Sequence, residues 1–245
     1  LEGSVGDRPT SVAHARLDTS GGATYVFEIA WEPPAVPDPT AYGHVHTGSI
    51  AGTLLPGADT VLDVVRAVRE DGTVSYDPNA RPSLMESAEA VVDQVETLIS
   101  VSDVVKASDE DIAWLYPGSS VPEILRRWAA LGALVTIVTR GGEGAIVSMS
   151  HGEATSVPAA PSEVIDTVGA GDSFMAGLIS GLLDAGLLGS LDARERLAAA
   201  TLADIRPAVE RALATAAVTV AHAGAYAPGR PELSPAPTDQ EASSA

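Results

Sequence analysis

The stretch Leu134-Val135-Thr136-Ile137-Val138-Thr139 runs directly into Arg140-Gly141-Gly142-Glu143-Gly144. An unbroken run of aliphatic and β-branched residues has no polar face to offer water. It predicts a strand covered on both sides, as in a mostly parallel sheet sandwiched by helices. The glycines that follow predict a turn at that strand's carboxyl end, the edge where open α/β sheets bind ligands.

Outward from this strand, helix and strand patterns alternate. Upstream, Val61–Arg69 reads as helix, Thr73–Asp77 as strand, Leu84–Ile99 as helix, Asp103–Lys106 as strand and Pro122–Leu131 as helix. Downstream come short strands at Ala145–Ser148 and Ala154–Val157, then helices at Ser173–Leu183 and Ala208–Ala221. This is βαβ rhythm, and the expected fold class is α/β with a doubly wound, mostly parallel sheet flanked by helices. Residues 11–31 alternate apolar and polar around Ser20-Gly21-Gly22, which predicts a hairpin. The proline-rich stretch Glu32–Pro39 then reads as a linker. The expected organisation is residues 1–36 as a hairpin-bearing region, 37–226 as the α/β core and 227–245 as a disordered tail rich in Pro, Ser, Ala and Glu.

Composition narrows the function classes. Lys and Arg number 14 against 33 Asp and Glu, a net charge of -19 that repels nucleic acid and anionic lipid. A polyphosphate ligand must therefore meet a local site. The absence of cysteine excludes disulfides and thiolate metal sites and suits a reducing cytoplasm. No apolar run has the roughly 18 residues of a membrane span, and the start has no signal-peptide pattern.

The candidate chemistry lies in Val164-Ile165-Asp166-Thr167-Val168-Gly169-Ala170-Gly171-Asp172-Ser173-Phe174-Met175-Ala176-Gly177. Small residues here lead from an apolar strand end into an amphipathic helix. Unpaired amides at Gly169, Ala170 and Gly171, backed by the helix dipole, would bind an anion. Asp172, expected at the first helical position, would take the proton of a substrate hydroxyl during in-line phosphoryl transfer. The alternative is a strand-to-helix turn with Asp172 as its cap. Gly-Ala-Gly-Asp alone is a weak signal, but the longer string favours the functional reading. Asp77, Asn79 and Arg81 also follow a strand, placing an amide and a guanidinium at the same sheet edge, though Asp-Pro-Asn is equally a good turn former.

These segments, in order, resemble the ribokinase and fructokinase (PfkB) family of carbohydrate kinases. The resemblance rests on Asp166–Gly177 and on His46-Thr47-Gly48-Ser49, Asp77-Pro78-Asn79-Ala80-Arg81-Pro82, Lys106-Ala107-Ser108-Asp109-Glu110-Asp111, Val138–Ala145 and Ala221-His222-Ala223-Gly224-Ala225. It covers residues 1 to about 233 and is closest in flavour to bacterial fructokinases. It implies a small β lid over the sugar, through which family members commonly pair as homodimers. It also implies phosphorylation of a small sugar, D-fructose first, with 2-keto-3-deoxygluconate, ribose or a nucleoside as alternatives. By resemblance, Asn79 and Arg81 face the sugar and the phosphoryl group. Lys106, Ser108, Thr139, Gly141 and Gly144 meet ATP with Gly171, and Gly224 lies in the loop that closes over the ribose. Thr139–Gly144 also reads as an ordinary tight turn. Asp166 is implicated with carbonyls near Val168 and Gly224 in binding a monovalent cation such as potassium, or else in a local turn. Where many members have Asn-x-x-Glu, this chain has Ser108 and Asp111, so Asp111 would reach Mg2+ only through water. Ser108-x-x-Asp111 is also a helix capping box in its own right. His44 and His46 share a strand face but have no third metal ligand, and Trp31, Trp114 and Trp128 read as packing residues.

The Gly-Asp and Gly-Gly elements with which the family grips its sugar are not found here. On the resemblance and on usual domain sizes, on the order of 60 preceding residues are expected. A non-catalytic nucleotide- or sugar-sensing module is the alternative of another class. A dehydrogenase is disfavoured because no Gly-x-Gly-x-x-Gly opens a first βαβ unit.

Overall fold

A computed structural model of the protein describes residues 10–17 and 23–233. β1 (Val12–Leu17) and β2 (Ala23–Glu28) pair antiparallel as a sheet of their own, while the expected Ser20–Gly22 turn lies outside the described residues. A second sheet holds β3 (His44–Gly48), β4 (Thr73–Asp77), β5 (Val104–Ser108), β6 (Val135–Thr139), β7 (Ala145–Met149) and β8 (Ala154–Val157), in that spatial order. β3 to β6 are parallel, and β7 and β8 join antiparallel.

The helices are α1 (Gly57–Asp71), α2 (Ala88–Ser100), α3 (Asp109–Leu115), α4 (Val121–Leu131), α5 (Ala170–Asp184), α6 (Leu191–Ala199) and α7 (Leu202–Val220). Each parallel step moves to the adjacent strand in the same direction, so right-handed crossovers lay α1 to α4 on one face. Val65, Val95, Ile112 and Trp128 accordingly pack with Val74, Tyr76, Val105 and Val138. α5 to α7 cover the other face, where Phe174, Leu178, Leu197 and Val209 meet Val104, Ile137 and Val147. Alternate residues of one strand thus feed two cores, which is why the strands read as continuous apolar runs.

Several boundaries differ from expectation. α2 begins at Ala88 rather than Leu84, because the Ser87 hydroxyl caps it by accepting from Ala90 N at 3.2 Å. α7 begins at Leu202, six residues before the expected start. Thr201 and Asp204 form a capping box there, and Pro207 is carried inside the helix, where it costs one backbone bond. Residues 227–233, assigned by composition to a disordered tail, are instead pinned by their side chains. Arg230–Leu233 is a 3-10 turn, Arg230 reaches Asp184 at 3.1 Å, and Glu232 accepts from Gly229 N at 2.6 Å. No helix among the described residues is long and apolar enough to cross a membrane.

α5 and α7 approach very closely. A Cβ at Gly177 would meet Ala212 Cα at 2.8 Å, and one at Gly181 would meet Ala208 Cα at 2.6 Å. These glycines set how closely α5 lies against α7.

Candidate active site

The carboxyl ends of β4, β5 and β6 and the start of α5 open onto one cleft of about 810 Å3. Asn79, Arg81, Lys106, Ser108, Thr139, Gly141 and Gly144 all line it, together with Asp111 and the turn Gly169–Asp172. Residues read separately along the chain thus converge at one sheet edge.

The turn into α5 is built around Gly169. Its φ of +79° is a conformation that side chains disfavour, and a Cβ there would lie 3.1 Å from the Ala225 side chain. Gly169 is the helix N-cap, so Asp172 falls on the third helical residue rather than the first, and it is not the cap. Its carboxylate is exposed to the cleft and makes no hydrogen bond among the described residues. The expected set of free amides also changes. Ala170 N donates to Thr167 O at 3.2 Å, so it is occupied. The amides of Gly169, Gly171 and Asp172 have no partner among the described residues, and the last two stand at the positive end of a 15-residue helix.

Lys106 is buried and donates to Asp77 Oδ2 at 2.9 Å. Burial pushes the Asp77 carboxyl above the ordinary range, and the Lys106 ammonium pulls it back. Asn79 takes a left-handed backbone with φ of +38°, which Asn tolerates, and its side-chain amide is left unbonded among the described residues. The Arg81 guanidinium folds onto its own loop, donating to the carbonyls of Asn79 at 3.3 Å and Ala80 at 3.0 Å.

Ser108 and Asp111 form the capping box of α3 in full. Asp111 N donates to Ser108 Oγ at 3.0 Å, and Asp111 Oδ2 accepts from Ser108 N at 2.8 Å and from its hydroxyl at 2.7 Å. Asp111 Oδ1 accepts from Ala80 N at 2.7 Å, which ties this helix to the loop after β4. Oδ1 keeps a lone pair while both of those on Oδ2 are taken by Ser108, a donor set that suits a water-mediated rather than direct contact with Mg2+. Asp109 and Glu110 line the cleft next to it. The described residues contain no group of three or more His, Cys, Asp or Glu side chains placed to hold a metal.

Asp166 and Gly224 stand behind the anion turn rather than on the cleft wall. Asp166 Oδ1 accepts from Val168 N at 3.0 Å and Oδ2 from Gly224 N at 2.8 Å, and these two amides hold its carboxyl below the ordinary range. Gly144 serves the turn itself: its amide donates to Gly141 O and its carbonyl accepts from Arg140 N at 2.8 Å. Gly141, by contrast, stays open to the cleft, and a Cβ there would meet nothing within 4 Å. Sequence reasoning missed the apolar wall of Val164, Phe174, Leu213, Ala216, Ala217 and Val220. The small residues of α7 were a signal for it, but at helical spacing they look the same as core.

His44 and His46 do share a face. Both ring nitrogens of His44 are engaged, Nδ1 with Thr73 Oγ1 at 2.8 Å and Nε2 with Ser75 Oγ at 3.0 Å, so it is a strand-to-strand bridge and holds no metal. Trp128 is fully buried and donates to the Tyr116 hydroxyl at 3.0 Å, as a packing residue should.

An open α/β sheet with free amides and a free carboxylate over its strand ends is an arrangement that can receive a phosphate group. The chain belongs to the pfkB family of carbohydrate kinases, which it matches over residues 16–233. It is 30% identical over 192 residues to a fructokinase of Klebsiella pneumoniae, covering 75% of this chain and 62% of that protein. It is 31% identical over 176 residues to a 2-dehydro-3-deoxygluconokinase of Dickeya dadantii, covering 69% and 56%. The chain therefore spans about three fifths of the length of these relatives. Among solved structures, the ATP-bound fructokinase of Xylella fastidiosa superposes with a TM-score of 0.73 over 88% of this chain and 69% of that one; at 22% identity this likeness speaks for the fold alone.

Proposed function

We propose that the full-length protein transfers the terminal phosphoryl group of ATP to a hydroxyl of a small sugar, with D-fructose the first candidate. The observation that carries this reading is the free Asp172 carboxylate beside the unpaired amides of Gly169 and Gly171, on a cleft that also presents Lys106 and Arg81. Such amides stabilise charge developing on a transferring phosphoryl group. Asp172, one helical turn from the cap, takes the proton of the attacking hydroxyl. Thr139, Gly141 and the apolar wall of α7 receive the nucleotide, while Asn79 and Arg81 attend the sugar and the phosphoryl group. Magnesium bound to the phosphates neutralises their charge, and Asp111 would hold it through water. Asp166 with nearby backbone carbonyls would suit a monovalent cation such as potassium.

Fructose rests on the 30% identical fructokinase; the similarly distant 2-dehydro-3-deoxygluconokinase keeps an acidic sugar as the alternative, beside ribose or a nucleoside. In this reading the β1–β2 hairpin is the lid over the sugar. A two-stranded sheet is only marginally stable alone, so pairing with a second copy's lid supports it. The protein would work in the cytoplasm, where ATP is available and where a chain without cysteine is at no disadvantage.

The test is ADP release by the full-length gene product with ATP, magnesium and a sugar panel, wild type against Asp172→Asn. Turnover on fructose that Asp172→Asn abolishes while ATP still binds supports the reading. A folded protein that binds ATP but turns over no sugar is a sensing module instead.

A further inference from the structure

Asp77 is the last residue of β4 and Lys106 the third of β5, one step beyond the paired residues Tyr76 and Val105. Their side chains are each 4% exposed and lie 2.9 Å apart. The other buried side chains of these strands include Val74, Tyr76, Val104, Val105 and Ala107. Well-packed apolar residues would join two core strands at least as well as an ion pair, because taking both charges out of water costs what their attraction returns. The pair is also an imperfect bridge: Asp77 Oδ2 has its partner, but Oδ1 is buried with none. The one task an apolar pair cannot perform is to hold a positive charge in place.

That charge is held against the anion turn. A Cβ at Gly171 would stand 3.0 Å from Lys106 Nζ, so the ammonium abuts the first turn of α5, next to the free amides of Gly171 and Asp172. Without its tether, a flexible lysine in a cleft lined by Asp109, Glu110, Asp111 and Asp172 would have four competing carboxylates. His46 faces the same point from β3. Desolvation lowers its proton affinity and the Lys106 charge adds to that.

We propose that Asp77 is a positioning residue that fixes Lys106 Nζ at the first turn of α5, where Lys106 binds the terminal phosphate of the nucleotide. This rests on the kinase reading above and names a cationic contact for its phosphoryl group and the residue that aims it.

The experiment uses the full-length chain and the variants Asp77→Asn, Asp77→Glu, Lys106→Met and the double Asp77→Asn/Lys106→Met. Affinity for ATP and for ADP is measured by calorimetry, alongside ADP release and melting temperature. The expected result is a loss of about 10-fold in ATP affinity, with ADP affinity unchanged, in Asp77→Asn and Lys106→Met alike, since a charge-assisted hydrogen bond to the terminal phosphate is gone. kcat/KM for ATP falls with it, the KM for sugar holds, and Asp77→Glu recovers part of the loss. The double variant, which buries no charge, melts with the wild type yet binds and turns over no better than Lys106→Met. A double variant that regains wild-type ATP affinity would show that the pair is structural only, and so would an unchanged ATP-to-ADP ratio in Asp77→Asn. Because the ratio is read without turnover, its collapse in a protein that phosphorylates no sugar would sink the kinase reading and leave the placement of Lys106 standing.

Discussion

Asp166 joins the turn before α5 to the loop after α7: its carboxylate accepts from Val168 N with one oxygen and from Gly224 N with the other. Gly169 meets Ala225 in the same contact region. The anion turn is therefore supported from behind by a loop more than fifty residues away in sequence.

Replacing Asp166 with Ala frees both amides. The expected result is faster hydrogen exchange at Val168 and Gly224 and a several-fold weaker ATP affinity, with little change in melting temperature because the carboxylate is at the surface. The two amides hold this carboxyl below the ordinary aspartate range. Its contribution is thus complete above that range and is lost as pH falls through the lowered value. Exchange at Val168 and Gly224 in the wild type should approach that of Asp166→Ala only in acid, once intrinsic exchange is corrected for.

The α5–α7 contact admits no side chain at Gly181. Gly181→Leu should destabilise the fold by about 1–3 kcal/mol, through overpacking against Ala208. Because α5 carries Asp172, the surviving folded protein should also lose phosphoryl-transfer activity. Urea denaturation checks the first effect, and the kcat of the folded fraction checks the second.

His44 makes stability depend on pH. Burial is the main cause that lowers its pKa to about 4, with His46 nearby adding to it. The unfolded chain takes up this proton near the ordinary value of 6.5, the folded chain not until about 4. Between those values the unfolded state binds more protons, so stability is full above pH 6.5 and falls as acid is added, by about 2 kcal/mol at pH 4 after allowance for partial solvent screening. Denaturant melts of His44→Gln should lack this component of the slope.

Asp111 closes the α3 box and also holds Ala80 N. Asp111→Ala should cost about 1–3 kcal/mol, more than the ~1 kcal/mol of Ser108→Ala, since it strands two backbone amides instead of one. Chemical denaturation of both variants measures the difference.

Much of this arrangement is legible in the sequence, for identifiable reasons. Thr73–Asp77 and Ala154–Val157 are read to the residue because turn and helix signals bound them on both sides. The convergence of Asn79, Lys106 and Thr139 follows from their places at or near the carboxyl ends of neighbouring strands β4, β5 and β6. Other features leave no local trace. The cap at Gly169 depends on a backbone angle, and Ala170's amide is taken by a carbonyl three residues back, so which amides stay free could not be read off the string. The first turns of α7 are hidden by Pro207, which is tolerated because capping and packing outweigh one lost bond.

The sequence by itself determined the alternation of elements and the small-residue turn that leads to Asp172, because these depend on periodicity and on residue types within a dozen positions. Only the tertiary structure decided that Lys106 rests on Asp77, that Asp166 reaches Gly224, and that α7 supplies an apolar wall. Each of these is a contact between distant segments. Its existence depends on strand register and on how closely the helices pack against each other, which no local pattern records.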